Sequence, residues 1–344
     1  MNTKASLLLI YTGGTIGMKK DPADQTLKPF DFSQIMEEVP ELGKFALKID
    51  SRTFTPLIDS SDVEPTLWQD LAKLIESEYE SYDGFVILHG TDTMAYSASM
   101  LSFMLHNLSK PVVFTGSQLP IGEPRTDGKE NLVSSVEIAA AKDRYGNAIV
   151  PEVCICFHSL LLRGNRSIKT DATGFEAFSS PNYPPLATAG IEILYNHPYI
   201  LKPRTDEPFS IHTKLDTRVA ILRIHPGITE QVVKDILLGD GSRAVILETY
   251  GSGNAISRPW FTDIVAQAQR RGKILVNVTQ CNKGLVDMDL YATGMALKKA
   301  GVVSGRDLTV ESALSKLFYL MGESPNNSWV KAQFERNLMG EISE

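Results

Sequence analysis

At 344 residues, 43% hydrophobic and 22% charged, the chain has the make-up of a soluble globular protein and exceeds what one hydrophobic core usually supports, so two domains are expected. Its 34 Lys and Arg against 41 Asp and Glu give a formal charge of -7, and basic pairs such as Lys19-Lys20 and Lys298-Lys299 stand alone. That balance excludes a phosphate-neutralising stripe and makes nucleic acid an unexpected partner.

The first predicted strand, Leu7 to Tyr11, runs straight into a Gly-rich turn without a cleavage site. No apolar run approaches the roughly 18 residues of a membrane span, so no membrane association and a cytoplasmic location are expected. Apolar spacing at Leu67, Leu71, Leu74 and Ile75 predicts a helix, Gly84 to His89 a strand, and Met94, Ala98, Leu101 and Leu105 a second helix. Val112 to Thr115 and Val153 to Phe157 predict further strands. Continuous apolar runs of this kind belong to parallel strands covered on both faces by helices.

Residues 158 to 215 break the alternation with Asn182-Tyr183-Pro184-Pro185 and Lys202-Pro203-Arg204, and read as hairpins followed by an exposed linker. Strands are expected again at Val219 to Ile224, Ala244 to Leu247 and Ile274 to Val278. Thr229 starts one helix and Gly239 stops it, while Val310 to Met321 and Asn327 to Leu338 read as closing helices. The fold class is therefore α/β: a larger N-terminal domain over 1–195 with a mainly parallel sheet flanked by helices, a linker over 196–215, and a smaller α/β domain over 216–344.

Three cysteines, an odd number, do not make a disulfide framework and are read as reduced, with Cys154 and Cys156 as core residues. Six histidines without ligand spacing give no reason to expect a metal, and no cofactor is expected.

In open α/β sheets ligands bind beyond the carboxyl ends of the strands. Three such ends are rich in hydroxyls: Thr12-Gly13-Gly14-Thr15-Ile16-Gly17, His89-Gly90-Thr91-Asp92-Thr93 and Thr115-Gly116-Ser117-Gln118. The first lacks both the GxGxxG spacing and the GK[ST] ending of a nucleotide cradle, and suits a tight turn that presents a hydroxyl. Thr15 is a candidate nucleophile, which needs a base nearby, or else a plain turn residue. Asp92 stands at a helix start, where N–H groups favour a negative charge. Lys169 follows Arg163 and Arg166, cationic neighbours that favour loss of its proton.

Taken together, Thr12-Gly-Gly-Thr-Ile-Gly17 and His89-Gly-Thr-Asp-Thr-Met94 closely resemble the two signatures of the bacterial-type L-asparaginases. Further similarity lies in Asp59-Ser60-Ser61-Asp62, Arg163-Gly-Asn-Arg166 leading to Lys169, Tyr250-Gly-Ser-Gly-Asn254 and Tyr291-Ala-Thr-Gly294. The resemblance spans the chain and looks like the cytoplasmic, type I branch. It implies hydrolysis of L-asparagine to L-aspartate and ammonia, with Thr15 attacking the amide carbon to form an acyl-enzyme. Thr91, Asp92 and Lys169 match the family's second catalytic group.

The same resemblance implies that Asp92 holds the substrate's α-ammonium, that Ser60 and the Asp59 backbone receive its α-carboxylate, and that the Ser117 carbonyl accepts from the amide nitrogen. Backbone N–H groups near Gly14 and Thr91 are the oxyanion candidates. The working unit would be a homodimer or homotetramer, with Asn254 a weaker candidate for a residue lent to a neighbour.

Two positions depart from the family pattern. Where many relatives carry a Tyr on the loop after the first motif, this chain has Leu27. Where some relatives lend an acidic residue across a subunit boundary, Asn282 or Lys283 stands. Some type I members bind a second asparagine; Cys281 suits such a pocket, whereas Glu248 and Ile168 do not. Two other readings compete: the ammonia-releasing subunit of a tRNA-dependent amidotransferase, for which the acidic balance offers no tRNA surface, and a non-catalytic amino-acid-binding module, which has no need of two threonines at a reacting centre.

Overall fold

The computed structural model describes residues 5–20, 27–29, 37–204 and 206–343. It divides into two compact units. Unit 1 comprises 1–180 with 184–212, and unit 2 comprises 181–183 with 213–344.

Unit 1 is built on an eight-stranded sheet. Its strands are β1 (Ser6–Tyr11), β2 (Lys48–Thr53), β3 (Gly84–Leu88), β4 (Val112–Thr115), β5 (Val153–Phe157), β6 (Leu160–Arg163), β7 (Ala187–Ala189) and β8 (Ile193–Tyr195). In space they lie in the order β8-β7-β6-β5-β4-β3-β1-β2. The five strands from β2 to β5 are parallel; β6, β7 and β8 are added antiparallel. Strands β3, β4 and β5 are buried along their whole length, as parallel strands under two helical layers must be. Edge strand β2 is polar and half-exposed, which blunts pairing with another chain.

The parallel part has the order 2-1-3-4-5, in which the connections leave β1 and β3 in opposite directions and open a crevice at their carboxyl ends. That switch point is where the Thr12 and His89 segments emerge. Helix α1 (Pro65–Glu78) buries Leu67, Trp68, Leu71, Ala72 and Ile75 on one stripe. Helix α2 (Met94–Met104) is buried on nearly every side, including Ser97, Ser99 and Ser102. Helix α3 (Gly128–Ala140) buries polar Asn131, Ser134 and Ser135 beside its apolar residues.

The hairpins expected after residue 158 are β5–β6 and β7–β8. The stretch from 196 to 212 is tied to unit 1 by stacking of Tyr79 on Phe209 at 3.8 Å and by pairing of Ser210–Ile211 with Leu105–His106. Cys154 and Cys156 sit buried in β5 as free thiols, and burial pushes the Cys156 thiol up to about 11.

Unit 2 has a four-stranded parallel sheet, β9 (Val219–Arg223), β10 (Ala244–Thr249), β11 (Ile274–Thr279) and β12 (Val303–Ser304), in that order. Its helices are α4 (Glu230–Leu238), α5 (Pro259–Arg270), α6 (Ala292–Lys299), α7 (Val310–Glu323) and α8 (Asn327–Phe334). Thr229 caps α4 by accepting from the Val232 N–H, and Gly239 ends it. The last helix stops at Phe334, short of the expected Leu338. Beyond it Glu341 folds back to accept from the Leu338 and Met339 N–H groups, which replaces helical pairing.

No helix among the described residues is long and apolar enough to cross a membrane.

Candidate active site

Glycines bring the strand ends together. Gly14 has φ +94, and a Cβ there would lie 2.5 Å from the Gly90 nitrogen; a Cβ on Gly90 would lie 2.4 Å from Ser60 Oγ. The first motif therefore rests on the second, backbone to backbone, and the second rests on Ser60. No larger residue fits at either glycine without moving main chain. Thr15 and Thr91 each directly follow one of these touching glycines. Thr15 opens a single 3-10 turn, Thr15–Gly17, and is partly exposed.

The strand ends are braced from below. Thr12 donates its hydroxyl to the Leu88 carbonyl at 2.9 Å, so the ends of β1 and β3 are locked. Ser60 begins another 3-10 turn, Ser60–Asp62, and the Thr93 hydroxyl at the start of α2 donates to the Ser60 carbonyl at 2.6 Å. Asp59 caps that turn by accepting from the backbone N–H and the hydroxyl of Ser61, bonds that hold its carboxyl below the usual range. The Asp59 carboxylate is occupied there; Ser60 Oγ, over Gly90, makes no hydrogen bond among the described residues.

Lys169 joins the group from a two-residue strand, Ile168–Lys169, paired with Phe178–Ser179. Its Nζ donates to Thr91 Oγ1 at 2.8 Å and to Asp92 Oδ1 at 2.7 Å. The Lys169 side chain is 18% exposed and that of Asp92 63%. Asp92 Oδ2 has no hydrogen bond among the described residues. Of the arginines read as Lys169's cationic neighbours, Arg163 turns into the core, where it forms a buried ion pair with Glu152 at 2.6 Å, and Arg166 is buried as well. The charge beside the Lys169 ammonium is the carboxylate of Asp92.

Ser117 is buried at the end of β4, its hydroxyl donating to the Leu119 carbonyl at 2.5 Å and its own carbonyl unengaged among the described residues. Gln118 was not singled out in the sequence, where an amide after a strand carries no signal. It accepts from Thr91 Oγ1 at 3.4 Å and donates to the Gly174 carbonyl at 2.9 Å. Lys169 donates a hydrogen bond to Thr91 Oγ1, and the Thr91 hydroxyl donates in turn to Gln118. Gln118, Leu119, Arg125 and residues 172–175 line a cleft of about 480 Å³.

At Leu27 the backbone starts a short strand, Leu27–Pro29, paired with Met18–Lys20; its side chain lies outside the described residues, as does the loop end at Phe30. In unit 2, Asn254 Oδ1 accepts from the Thr293 hydroxyl at 2.7 Å and Cys281 is exposed. Among the described residues no cluster of His, Cys, Asp or Glu has the make-up of a metal site.

Residues 6–200 match the family model for the N-terminal domain of asparaginase, and residues 218–334 match the glutaminase/asparaginase C-terminal domain. The chain is 43% identical to L-asparaginase 1 of Escherichia coli strain K12, over 99% of this chain and 98% of that protein. It is 41% identical to the 60 kDa lysophospholipase of Mus musculus, over 94% of this chain and 60% of that longer protein. The crystal structure of L-asparaginase I from Vibrio cholerae superposes with a TM-score of 0.89 at 41% identity, covering 99% of this chain and 100% of that one.

Proposed function

The chain belongs to the asparaginase family of amidohydrolases, and from that premise we propose that it hydrolyses L-asparagine to L-aspartate and ammonia, with Thr15 as nucleophile and Thr91, Asp92 and Lys169 as the second catalytic group. The observation that carries this reading is the Lys169 ammonium, shared between Thr91 Oγ1 and Asp92 Oδ1 beside the contact of Gly14 with Gly90.

In the first half-reaction Thr15 Oγ bonds to the side-chain carbonyl carbon, the C–N bond breaks, and the Thr15 proton leaves with the nitrogen as ammonia. The N–H groups of Gly14 and Thr91 serve the oxyanion. In the second, water adds to the ester, one of its protons returns to Thr15 Oγ, and aspartate departs. Thr91, fixed by Lys169, orients that water.

Recognition uses the groups left open. Asp92 Oδ2 takes the substrate α-ammonium, while Ser60 Oγ and the Asp59 backbone take the α-carboxylate. The Ser117 carbonyl accepts from the amide nitrogen. Two rigid grips on the amino-acid head turn binding energy into placement of the amide between the threonines. No metal or cofactor is assigned a role.

We assign the working unit to a homodimer or homotetramer. Unit 2 exposes Leu285 at 52%, Leu290 at 59%, Tyr291 at 53% and Met295 at 48% within one short segment, the kind of apolar surface a second copy covers. Free thiols at Cys154, Cys156 and Cys281 fit a reducing, cytoplasmic compartment.

The test is ammonia release by purified protein given L-asparagine, L-glutamine or no amide, with fatty-acid release from a lysophospholipid measured in parallel because one relative bears that name. Turnover of asparagine supports the reading. A folded protein that releases ammonia from neither amide overturns it.

A further inference from the structure

Behind Thr91, three buried side chains from separate elements form a hydrogen-bonded line that the mechanism above does not use. The Trp68 indole N–H on α1 donates to Ser97 Oγ on α2 at 2.9 Å. Ser97 Oγ lies 3.0 Å from His89 Nε2, and His89 Nδ1 lies 2.7 Å from the Gly90 carbonyl. All three side chains are shut off from solvent: Trp68 is 6% exposed, Ser97 0% and His89 1%.

The chemistry of the two ends fixes the direction of the line. An indole nitrogen only donates and a carbonyl oxygen only accepts. Ser97 Oγ therefore receives the Trp68 proton and gives its own to His89 Nε2, and the His89 proton sits on Nδ1. Burial pushes the His89 imidazole down to about 4, so it stays neutral in this tautomer at neutral pH.

The carbonyl at the end of the line belongs to the Gly90–Thr91 peptide. That peptide is trans, and in a trans peptide the C=O and N–H lie in one plane and point in opposite directions. Drawing the Gly90 oxygen toward the buried imidazole turns the Thr91 N–H away from it, and nothing among the described residues accepts that N–H. Glycine at 90 leaves the plane free to rotate unless something holds it.

We infer that His89, backed by Ser97 and Trp68, is a positioning residue that fixes the Gly90–Thr91 peptide so that the Thr91 N–H meets the oxyanion of the reacting amide. The inference rests on the amidohydrolase reading above and adds to it a reason for histidine at the head of the second motif. A space-filling role alone, in which the ring packs edge-on to Phe114 at 5.7 Å, requires no particular nitrogen.

Asparagine and glutamine separate the two roles. His89→Asn keeps an amide nitrogen where Nδ1 stands, whereas His89→Gln reaches only toward the Nε2 position. In ammonia release from L-asparagine, H89N is expected to hold kcat within about fivefold of the parent protein. H89Q is expected to lose about 10²-fold in kcat, the scale of one lost oxyanion donor, with KM changed less than about threefold. Trp68→Phe, remote from substrate, is expected to lower kcat by about threefold.

Equal losses in H89N and H89Q, or parental kcat in H89Q, overturn the inference. If both variants fail to fold, nitrogen NMR of His89 in the parent protein decides: a protonated Nδ1 with bare Nε2 supports the line as drawn, and the opposite tautomer overturns it. A parent protein inactive on asparagine fails the amidohydrolase reading instead, and the NMR result still judges the line.

Discussion

Thr91 in unit 1 and Thr249 in unit 2 both stand at the carboxyl end of a central parallel strand, each next to a glycine-rich turn. Thr249 is fully buried and donates to Asn277 Oδ1 at 2.6 Å, while Asn277 Nδ2 donates to the Gly253 carbonyl at 3.0 Å. The Thr249 hydroxyl and both polar atoms of the Asn277 amide are engaged there. Thr91 is partly exposed, takes a bond from Lys169, and keeps its backbone N–H unengaged among the described residues. The two buried-end lysines differ in the same way. Lys316 is 0% exposed, paired with Glu341 at 2.5 Å and donating to the Phe334 carbonyl at 2.8 Å. Lys169 is 18% exposed, and its carboxylate partner keeps one oxygen open. A hydroxyl-and-glycine cluster at a strand end is a site when donors and acceptors are left over, and a clasp when none are.

The comparison can be broken at its lysines first. Lys316→Met strands Glu341 in the core and is expected to cost about 3–5 kcal/mol of stability in urea unfolding, with kcat of the folded protein unchanged. Lys169→Met is expected to do the reverse, lowering kcat by about 10²–10⁴-fold while the unfolding midpoint barely moves. Stability loss from K169M together with normal turnover would erase the distinction.

Acid exposes the buried imidazoles next. His89 and His106 are both pushed down from 6.5 to about 4, chiefly by burial, and His106 also by charge repulsion from His212, which stacks on it. The unfolded chain binds protons at these sites that the folded one refuses. Stability is therefore full above pH 6.5 and falls as pH drops toward 4. For His89 the loss by pH 4 is about 3 kcal/mol, from a lowering from 6.5 to about 4 at about 1.4 kcal/mol per unit. Urea unfolding at pH 7 and pH 5 measures it; a slope that survives unchanged in H89N assigns it elsewhere.

The smallest expected effect is at the clasp. Thr249→Val keeps the shape but leaves Asn277 Oδ1 without its donor, at about 1–3 kcal/mol of stability and no change in kcat. Thermal unfolding and ammonia release on the same sample check both halves.

How much of this was legible in the sequence follows from the same physics. Strands β1, β3, β4 and β5 read as continuous apolar runs because both faces are covered. Strand β2, Lys48-Ile-Asp-Ser-Arg-Thr53, did not, because an edge strand is polar by design against aggregation. Helix α3 was missed since its buried face mixes Asn131, Ser134 and Ser135 with apolar residues, which blurs the period. In the site, the hydroxyl clusters stood out, but the meeting of Lys169 with Thr91 and Asp92 bridges 78 and 77 residues and came only through the family resemblance. Gln118, Trp68 and Ser97 gave no signal, being ordinary residues whose roles come from what they touch.

The central claim is that Thr15, on the turn that rests against Gly90, is the nucleophile. Its most direct test is ammonia release from L-asparagine by Thr15→Ala beside the parent protein, with circular dichroism and the oligomeric state recorded on both. The account predicts at least about a 10³-fold loss of kcat in an otherwise unchanged protein; ordinary turnover by that variant would contradict it.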